Sequence, residues 1–339
     1  MSARRIAGTP SLGTAAGGPL RASGSRSFRA RRVPASVDVL ALSSPLAENG
    51  SPGLGVRQTF RPSIRTWGAD RITRRVRLAT GVTVAYLEGG SQPTAVLLLH
   101  AWVESSACFD RLLQEVPPTL RVFAMDQRGH GDADKPAGGY ALVNFADDVE
   151  AFMDAVGLQS AVQLGSLSGG YVAQQVAVQV PYRVDDLVLV GAPRSLQGRP
   201  AFADEVDRLT EPVDPSWVEG SLFPRYHDVP DWYIKDRIRD GLRVPAHVWM
   251  AGLAGLTTAV PPSESGTITA PTLIIWGERD DLLPLQDGYL LAAAIPGSRL
   301  IVYEDTGHVV LWEQPERVAT DLADFVAGLT SGQNSTPSS

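Results

Sequence analysis

The stretch AVQLGSLSGGY at residues 161–171 decides the fold. Its first part, Ala161–Leu164, has the apolar composition of a short buried strand. A helical pattern begins at its last residue and covers Tyr171–Val180, and Pro181 terminates it. The small residues between the two elements allow a strand and a helix to meet at a sharp turn, because glycine adds no side chain there. The sequence therefore predicts a strand–turn–helix unit whose turn lies at the carboxyl end of a strand.

Strands and helices alternate on both sides of this unit. Further strands are predicted at Arg74–Leu78, Val82–Leu87, Thr94–Leu99, Arg121–Met125, Asp186–Val190, Thr272–Trp276 and Leu300–Tyr303. Further helices are predicted at Phe145–Val156 and Pro315–Leu329. The first two strands flank the turn signal Thr80-Gly81, which is typical of a hairpin. The pattern predicts an α/β fold with a mostly parallel, doubly wound sheet of about eight strands and helices on both faces.

The chain divides into four predicted parts. Residues 1–65 are rich in Gly, Ser, Ala, Pro and Arg without an apolar period, which predicts a disordered basic extension. A targeting segment is the functional alternative, because the first 37 residues hold seven Arg and no acid. Residues 66–194 and 268–329 are predicted to form the α/β core. Residues 195–267 are predicted to form a helical cap, since that insertion is too long for a simple loop, and 330–339 a flexible tail.

Composition excludes several classes of protein. Of the 339 residues, 44% are hydrophobic, which is enough for a sizeable core, and the single cysteine rules out a disulfide framework. The net charge is −7, with +8 on the first 65 residues and −15 on the rest. A body this acidic repels nucleic acid and anionic membranes, and no apolar run is long enough to span a bilayer. We expect a cytoplasmic protein whose partner is a small molecule, with the oligomeric state left open.

Polar residues follow several of the predicted strands. One strand ends in HAW at 100–102, a later one leads to GERD at 277–280, and the last leads to GH at 307–308. In an open parallel sheet, ligands bind outside the carboxyl ends of the strands. The turn at 165–170, the acid and the histidine follow one another in the chain order nucleophile, acid, histidine.

Together these segments resemble the α/β-hydrolase family over about Arg74–Leu329. HAW at 100–102 is similar to the family's oxyanion loop, with Ala101 where glycine is usual. DQRGHGDAD at 126–134 is similar to a structural turn of the family. The resemblance implies that Asp126 and Arg128 hold loops by hydrogen bonds there, and that His130 is structural as well.

The resemblance also implies roles for the acid and the histidine. His308 would take a proton from a nucleophile or water, and Asp280 would fix its tautomer and stabilise the imidazolium. Asp281 is a competing candidate for the acid. The backbone N–H of Trp102 would donate a hydrogen bond in an oxyanion hole.

The turn departs from the family's usual Gly-x-Ser-x-Gly-Gly. Laid without gaps on residues 165–170, the nucleophile position falls on Leu167, which has no nucleophilic atom, and the N–H of Ser168 serves the oxyanion hole. A shift by one residue makes Ser168 the nucleophile and gives the oxyanion role to the N–H of Gly169. Ser166 is a third candidate. The turn holds no Asp, so the epoxide-hydrolase and haloalkane-dehalogenase branches do not fit.

The sequence predicts an enzyme that hydrolyses a small, largely apolar ester, lactone or related carbonyl compound. The candidate catalytic residues are Ser168, Asp280 and His308. Three aromatic residues of the predicted cap are expected to line an apolar substrate pocket: Trp217, Trp232 and Trp249. No cofactor and no metal is implied. If Leu167 occupies the nucleophile position, the alternatives are a non-hydrolytic family member, such as a cyclase, lyase or cofactor-independent oxygenase, or a ligand-binding pseudoenzyme.

Overall fold

A computed structural model describes residues 72–90, 93–198, 200–222 and 229–333. The predicted disordered extension, residues 1–65, lies outside the described residues, as do residues 334–339 of the predicted tail.

Eight strands form one sheet. They are β1 (Ile72–Arg77), β2 (Thr83–Gly89), β3 (Ala95–Leu99), β4 (Arg121–Met125), β5 (Ala161–Ser166), β6 (Val184–Val190), β7 (Thr272–Gly277) and β8 (Arg299–Tyr303). Their order in the sheet is β1-β2-β4-β3-β5-β6-β7-β8. The first two strands form the predicted hairpin, and β2 also pairs antiparallel with β4, whereas all pairings from β4 to β8 are parallel. The predicted fold class is confirmed.

Helices cover both faces of the sheet. The helices are α1 (Asp110–Glu115), α2 (Leu142–Val156), α3 (Ser168–Gln179), α4 (Ala203–Val206), α5 (Pro215–Leu222), α6 (Asp231–Leu242), α7 (Ala246–Thr258), α8 (Pro262–Ser265), α9 (Leu285–Ala294), α10 (Val310–Glu313) and α11 (Pro315–Gln333). Apolar residues of α2 and α3 belong to one buried cluster, and those of α1 and α11 belong to another. The central strand β3 lies between these clusters and is buried along its whole length, which explains its uninterrupted apolar sequence.

Three helices extend beyond their predicted limits. Helix α2 begins at Leu142 rather than Phe145. Helix α3 begins at Ser168 rather than Tyr171, because its first turn consists of small residues that carry no apolar period. Helix α11 continues to Gln333, four residues into the predicted tail. A helix end does not need an apolar residue, so the period marks the last packed turn rather than the last helical one.

The span between β6 and β7 that was predicted as a cap contains helices α4–α8. Arg199 and residues 223–228 of this span lie outside the described residues. The division of the chain into a core and a cap stays a prediction. Within the described ranges, no helix combines the length and the apolar content that crossing a bilayer requires.

Candidate active site

Leu167 forms the turn between β5 and α3. Its backbone has φ +50° and ψ −123°, a conformation that side-chain-bearing residues rarely adopt and that costs about 1–3 kcal/mol. Two backbone hydrogen bonds hold it there: the N–H of Leu167 donates to Val190 O at 3.0 Å, and the N–H of Gly170 donates to Leu167 O at 2.9 Å. The backbone thus adopts the ungapped register, and Ser168 is the first residue of the helix.

Close packing explains why the turn does not shift to Ser168. A Cβ on Gly165 would lie 2.4 Å from Gly170 Cα, and a Cβ on Gly170 would lie 2.3 Å from Ala192 Cβ. In the shifted register Tyr171 would take the place of Gly170, where even a methyl group does not fit. The packing of the helix against the chain after β6 therefore favours Leu167 over Ser168 at the elbow, of the registers that the sequence left open.

The predicted role of Gly169 as an oxyanion donor belongs to the shifted register, which this packing disfavours. A Cβ on Gly169 would lie 2.1 Å from Leu99 O, so this glycine allows α3 to pack closely against the end of β3. In the observed register the N–H that follows the turn is that of Ser168.

The Leu167 side chain lies over Gly191, where a Cβ would come within 3.2 Å of Leu167 Cδ2. It also borders a cavity of about 10 Å³, room for roughly one water molecule. The cavity is lined by Glu104, Cys108, Ser166, Leu167, Tyr233, Val309, Leu311 and Trp312. A leucine side chain has no lone pair and no acidic proton, so it cannot form an acyl-enzyme.

His308 and Asp280 form a buried pair at the ends of β8 and β7. His308 Nδ1 lies 2.9 Å from Asp280 Oδ2 and 3.0 Å from Oδ1. Asp280 Oδ1 also accepts backbone N–H bonds from Leu282 (3.0 Å) and Leu283 (2.8 Å), which hold the carboxylate in its orientation. A carboxylate at Nδ1 places the imidazole proton there and makes Nε2 the basic atom. The competing candidate Asp281 is exposed.

Trp102 lies in the loop after β3. Its backbone N–H donates a 2.7 Å hydrogen bond to Ser168 Oγ. The loop turns at Val103, which has φ +62°, and closes through a hydrogen bond from the N–H of Glu104 to Ala101 O at 3.1 Å. A positive φ is a strained conformation for a β-branched residue, so the loop depends on its surroundings for its shape.

Aromatic rings cover this loop. The Trp102 ring packs edge-on against Trp249 at 5.0 Å, and Trp249 packs against Trp217 at 5.2 Å. Phe202, which the sequence did not single out, stacks on Trp102 at 6.3 Å. Trp232 does not join this group: it packs against Trp312 and is 47% exposed. The three predicted pocket residues therefore lie in two places, because α6 turns Trp232 toward α10.

The residues of the DQRGHGDAD segment make structural contacts, as the resemblance implied. Asp126 accepts backbone N–H bonds from Ser106 and Asp132, each at 2.8 Å. Arg128 forms a two-pronged buried ion pair with Asp148, with bonds of 2.7 and 2.6 Å. His130 is buried, and burial with nearby His100 lowers the pKa of His130 to about 3.

Metal ligation has no candidate group in the part of the chain that the structure describes, where no three His, Cys, Asp or Glu side chains converge. The lone cysteine, Cys108, is buried, and burial raises the pKa of its thiol well above the ordinary value. A thiol in this state is a poor nucleophile.

Comparison with known proteins agrees with this architecture. Residues 96–322 match the model of the alpha/beta hydrolase family. The chain belongs to the α/β-hydrolase family, whose curated relatives include esterases and other hydrolases.

Three similar proteins illustrate this relationship. A bifunctional esterase/perhydrolase from Acinetobacter calcoaceticus is 30% identical over 73% of this chain and 96% of its own length. A non-heme chloroperoxidase from Streptomyces lividans is 29% identical over 74% of this chain and 98% of its own. A solved thermophilic esterase from Thermogutta terrifontis shares the fold with a TM-score of 0.67, at 24% identity over 77% of this chain and 99% of that one.

Proposed function

We propose that this chain hydrolyses a small, largely apolar ester, lactone or related carbonyl compound, with a water molecule as the nucleophile. The observation that carries the proposal is the buried His308–Asp280 pair in a site whose elbow residue, Leu167, has no nucleophilic atom. A histidine that is oriented by a carboxylate can remove a proton from water as well as from a serine hydroxyl. The 30% identical esterase/perhydrolase supports hydrolysis at a carbonyl group.

Each group of the site has one role in the proposed reaction. His308 Nε2 removes a proton from water, and the water oxygen forms a bond to the carbonyl carbon. The backbone N–H groups of Trp102 and Ser168 stabilise the negative oxygen of the tetrahedral intermediate. Asp280 stabilises the imidazolium, which then gives its proton to the departing alkoxide. The products are a carboxylic acid and an alcohol.

The surroundings of Trp102 favour an apolar substrate. Trp249, Trp217 and Phe202 present rings near the loop that would hold the carbonyl oxygen. Aromatic walls stabilise an apolar substrate by removing its surface from water. Trp232 does not belong to this wall, since it lies against Trp312.

Ser168 is the rival nucleophile. Its Oγ lies 2.7 Å from the Trp102 N–H, the group that would bind the carbonyl oxygen. At that point the Ser168 hydroxyl lies where the carbonyl oxygen of the substrate would bind. It does not lie where a nucleophile could attack the carbonyl carbon. This contact favours water over Ser168.

Leu167 also favours a second candidate function, removal of a proton from a carbon next to a carbonyl. His308 would again be the base, and the same N–H donors would stabilise the enolate. The product would be a rearranged or cleaved compound rather than an acid and an alcohol.

Turnover of p-nitrophenyl acetate and butyrate tests the proposal, together with labelling by a fluorophosphonate. We expect slow ester hydrolysis without labelling, and a loss of about 10²–10⁴ in rate in His308→Asn. His247→Asn is the control for the loss of a histidine, because His247 bonds to Pro136 O and not to Asp280. Labelling at Ser168 would establish a serine mechanism. Exchange of α-hydrogens of a carbonyl probe for deuterium, without hydrolysis, would favour the second candidate.

A further inference from the structure

Four buried polar side chains join the loop after β3 to helix α6. Glu104 and Ser105 belong to the loop, and Arg237 and Asp240 belong to the helix. All four are less than 9% exposed. We call this group the loop clamp. Buried charged groups are costly unless they are paired, so a cluster of this kind depends on its ion pairs and hydrogen bonds.

Direct contacts hold the clamp together. The Ser105 hydroxyl donates to Asp240 Oδ2 at 2.6 Å, and Arg237 Nη1 lies 3.0 Å from the same oxygen. Burial opposes the charge of Arg237, but Glu104 and Asp240 outweigh it and raise the pKa of Arg237 above its ordinary range. On the other side, Glu104 and Cys108 line the same small cavity. Helix α6 thus holds Ser105 by a hydrogen bond and attracts the neighbouring Glu104 through the charge of Arg237.

The clamp acts on a loop that is strained. Val103, immediately before Glu104, has φ +62°. Glu104 closes the turn through its N–H, and its Oε2 accepts a weak 3.4 Å hydrogen bond from the N–H of Ala101. The turn therefore spans from Ala101 to Glu104, and Trp102 lies inside it. A strained turn keeps its conformation only where its surroundings hold it.

We propose that Arg237 and Asp240 are positioning residues that hold the Trp102 N–H in the direction of the substrate's carbonyl oxygen. They do so through Glu104 and Ser105, which fix the far end of the turn. The inference rests on the proposed role of Trp102 as an oxyanion donor. It makes the docking of α6 a condition for a formed oxyanion hole.

A purely structural cluster is the alternative. In that case Arg237 and Asp240 would only hold α6 against the rest of the protein. Their loss would lower stability without changing the environment of the Trp102 amide.

Backbone amide signals of tryptophan distinguish the two. The chain has seven Trp, so labelling with ¹⁵N-tryptophan gives seven backbone signals, and Trp102→Phe identifies the one of interest. We expect Arg237→Met to shift the Trp102 signal and Arg237→Lys to return it part of the way. Arg183→Met is the matched control, because Arg183 is a buried arginine paired with Asp154 far from the loop. It should leave the Trp102 signal in place.

Cys108 gives a second readout, since it is the only thiol of the chain and lines the same small cavity as Glu104. Alkylation of Cys108 under native conditions measures the opening of the clamp. We expect roughly a hundredfold faster alkylation in Arg237→Met, because one partner of a buried pair is lost. If Arg237→Met does not fold, Ser105→Ala takes its place with the same two measurements.

The proposal is overturned if the backbone amide signal of Trp102 stays unchanged in the variant that folds, Arg237→Met or Ser105→Ala. Faster alkylation of Cys108 alone would not rescue it. Neither measurement requires turnover. The proposal about the loop clamp can therefore fail independently of the proposed hydrolysis, which the ester assay tests.

Discussion

The backbone N–H of Trp102 donates a 2.7 Å hydrogen bond to Ser168 Oγ. The group proposed to bind a substrate oxygen thus already has an acceptor within the protein. A substrate must displace that hydroxyl. Loss of the hydrogen bond between the Trp102 N–H and the hydroxyl costs about 0.5–1.5 kcal/mol, the net contribution of a typical hydrogen bond. Ser168 therefore competes with the substrate through its side chain and assists it through its N–H.

Leu167→Ser should create esterase activity that depends on a covalent intermediate. The base, the acid and the N–H donors are proposed to be in place, and restoring one missing member of a triad should raise the rate by about 10³-fold or more. The measurement is hydrolysis of p-nitrophenyl acetate, with fluorophosphonate labelling mapped to residue 167. Leu167→Ala is the control and should remain unlabelled. An unlabelled, inactive serine variant would contradict the assignment of His308 and Asp280.

Adding Ser168→Ala to Leu167→Ser should raise kcat/KM further. The substitution removes the hydroxyl that occupies the Trp102 N–H but keeps the N–H of residue 168. From the value of one hydrogen bond, the gain should be about two- to tenfold. Steady-state kinetics with the same ester measure it. A fall in kcat/KM would mean that the hydroxyl donates to the substrate rather than competing with it.

Gly165→Ala should destabilise the fold. The new Cβ would lie 2.4 Å from Gly170 Cα, a backbone atom that cannot move without shifting α3. Overpacking of this kind costs about 1–3 kcal/mol, and urea unfolding measures the loss of free energy. Gly138→Ala is the matched control, because nothing lies within 4 Å of its Cβ. Equal stability of the two variants would show that strand and helix are not packed as closely as described.

The stability of the protein should fall as the pH falls below about 6.5, partly through His130. Burial, with nearby His100, lowers the pKa of His130 to about 3, from 6.5 in an unfolded chain. Between these values the unfolded state binds a proton that the native state does not, so stability decreases with decreasing pH. The contribution amounts to about 2 kcal/mol between pH 7.5 and 5.

His130→Gln should flatten this dependence, which urea unfolding at the two pH values measures. Asp186 acts in the opposite direction, since burial and Asp185 raise its pKa to about 6. Its effect is present in both proteins and cancels in the comparison. His247→Gln serves as a control for the loss of a histidine. An unchanged slope in His130→Gln would contradict the burial of a neutral imidazole at this position.

Much of the fold could be predicted because its signals are local. Strand β4 has the predicted bounds, Arg121–Met125, and the hairpin followed from the turn at Gly81. The turn at Leu167 could not be decided locally, since both registers offered small residues on either side. The contact between Gly170 and Ala192 decides it, and that contact joins α3 to the chain after β6.

The site was predictable to a similar extent. The pairing of His308 with Asp280 followed from the resemblance to a family, and the structure places the two side chains in contact. The separation of Trp232 from Trp249 depends on how helices α6 and α7 are oriented relative to the rest of the protein. The spacing of residues within a helix does not define that orientation. The bond from Ser105 to Asp240 joins residues 135 positions apart. Only the folded chain brings such a pair together.

The strain at Leu167 also bears on how new reactions arise in this scaffold. Glycines at 165, 169 and 170 and the bonds to Val190 and Gly170 impose the turn, and none of them involves the leucine side chain. Any residue at position 167 other than proline, which lacks the N–H that bonds to Val190 O, would therefore be displayed in the same direction. A serine, a cysteine or an aspartate would be interchangeable there without redesign of the backbone. A single substitution at position 167 could therefore supply a nucleophile, and with it a different type of reaction, while the backbone of the turn stays the same.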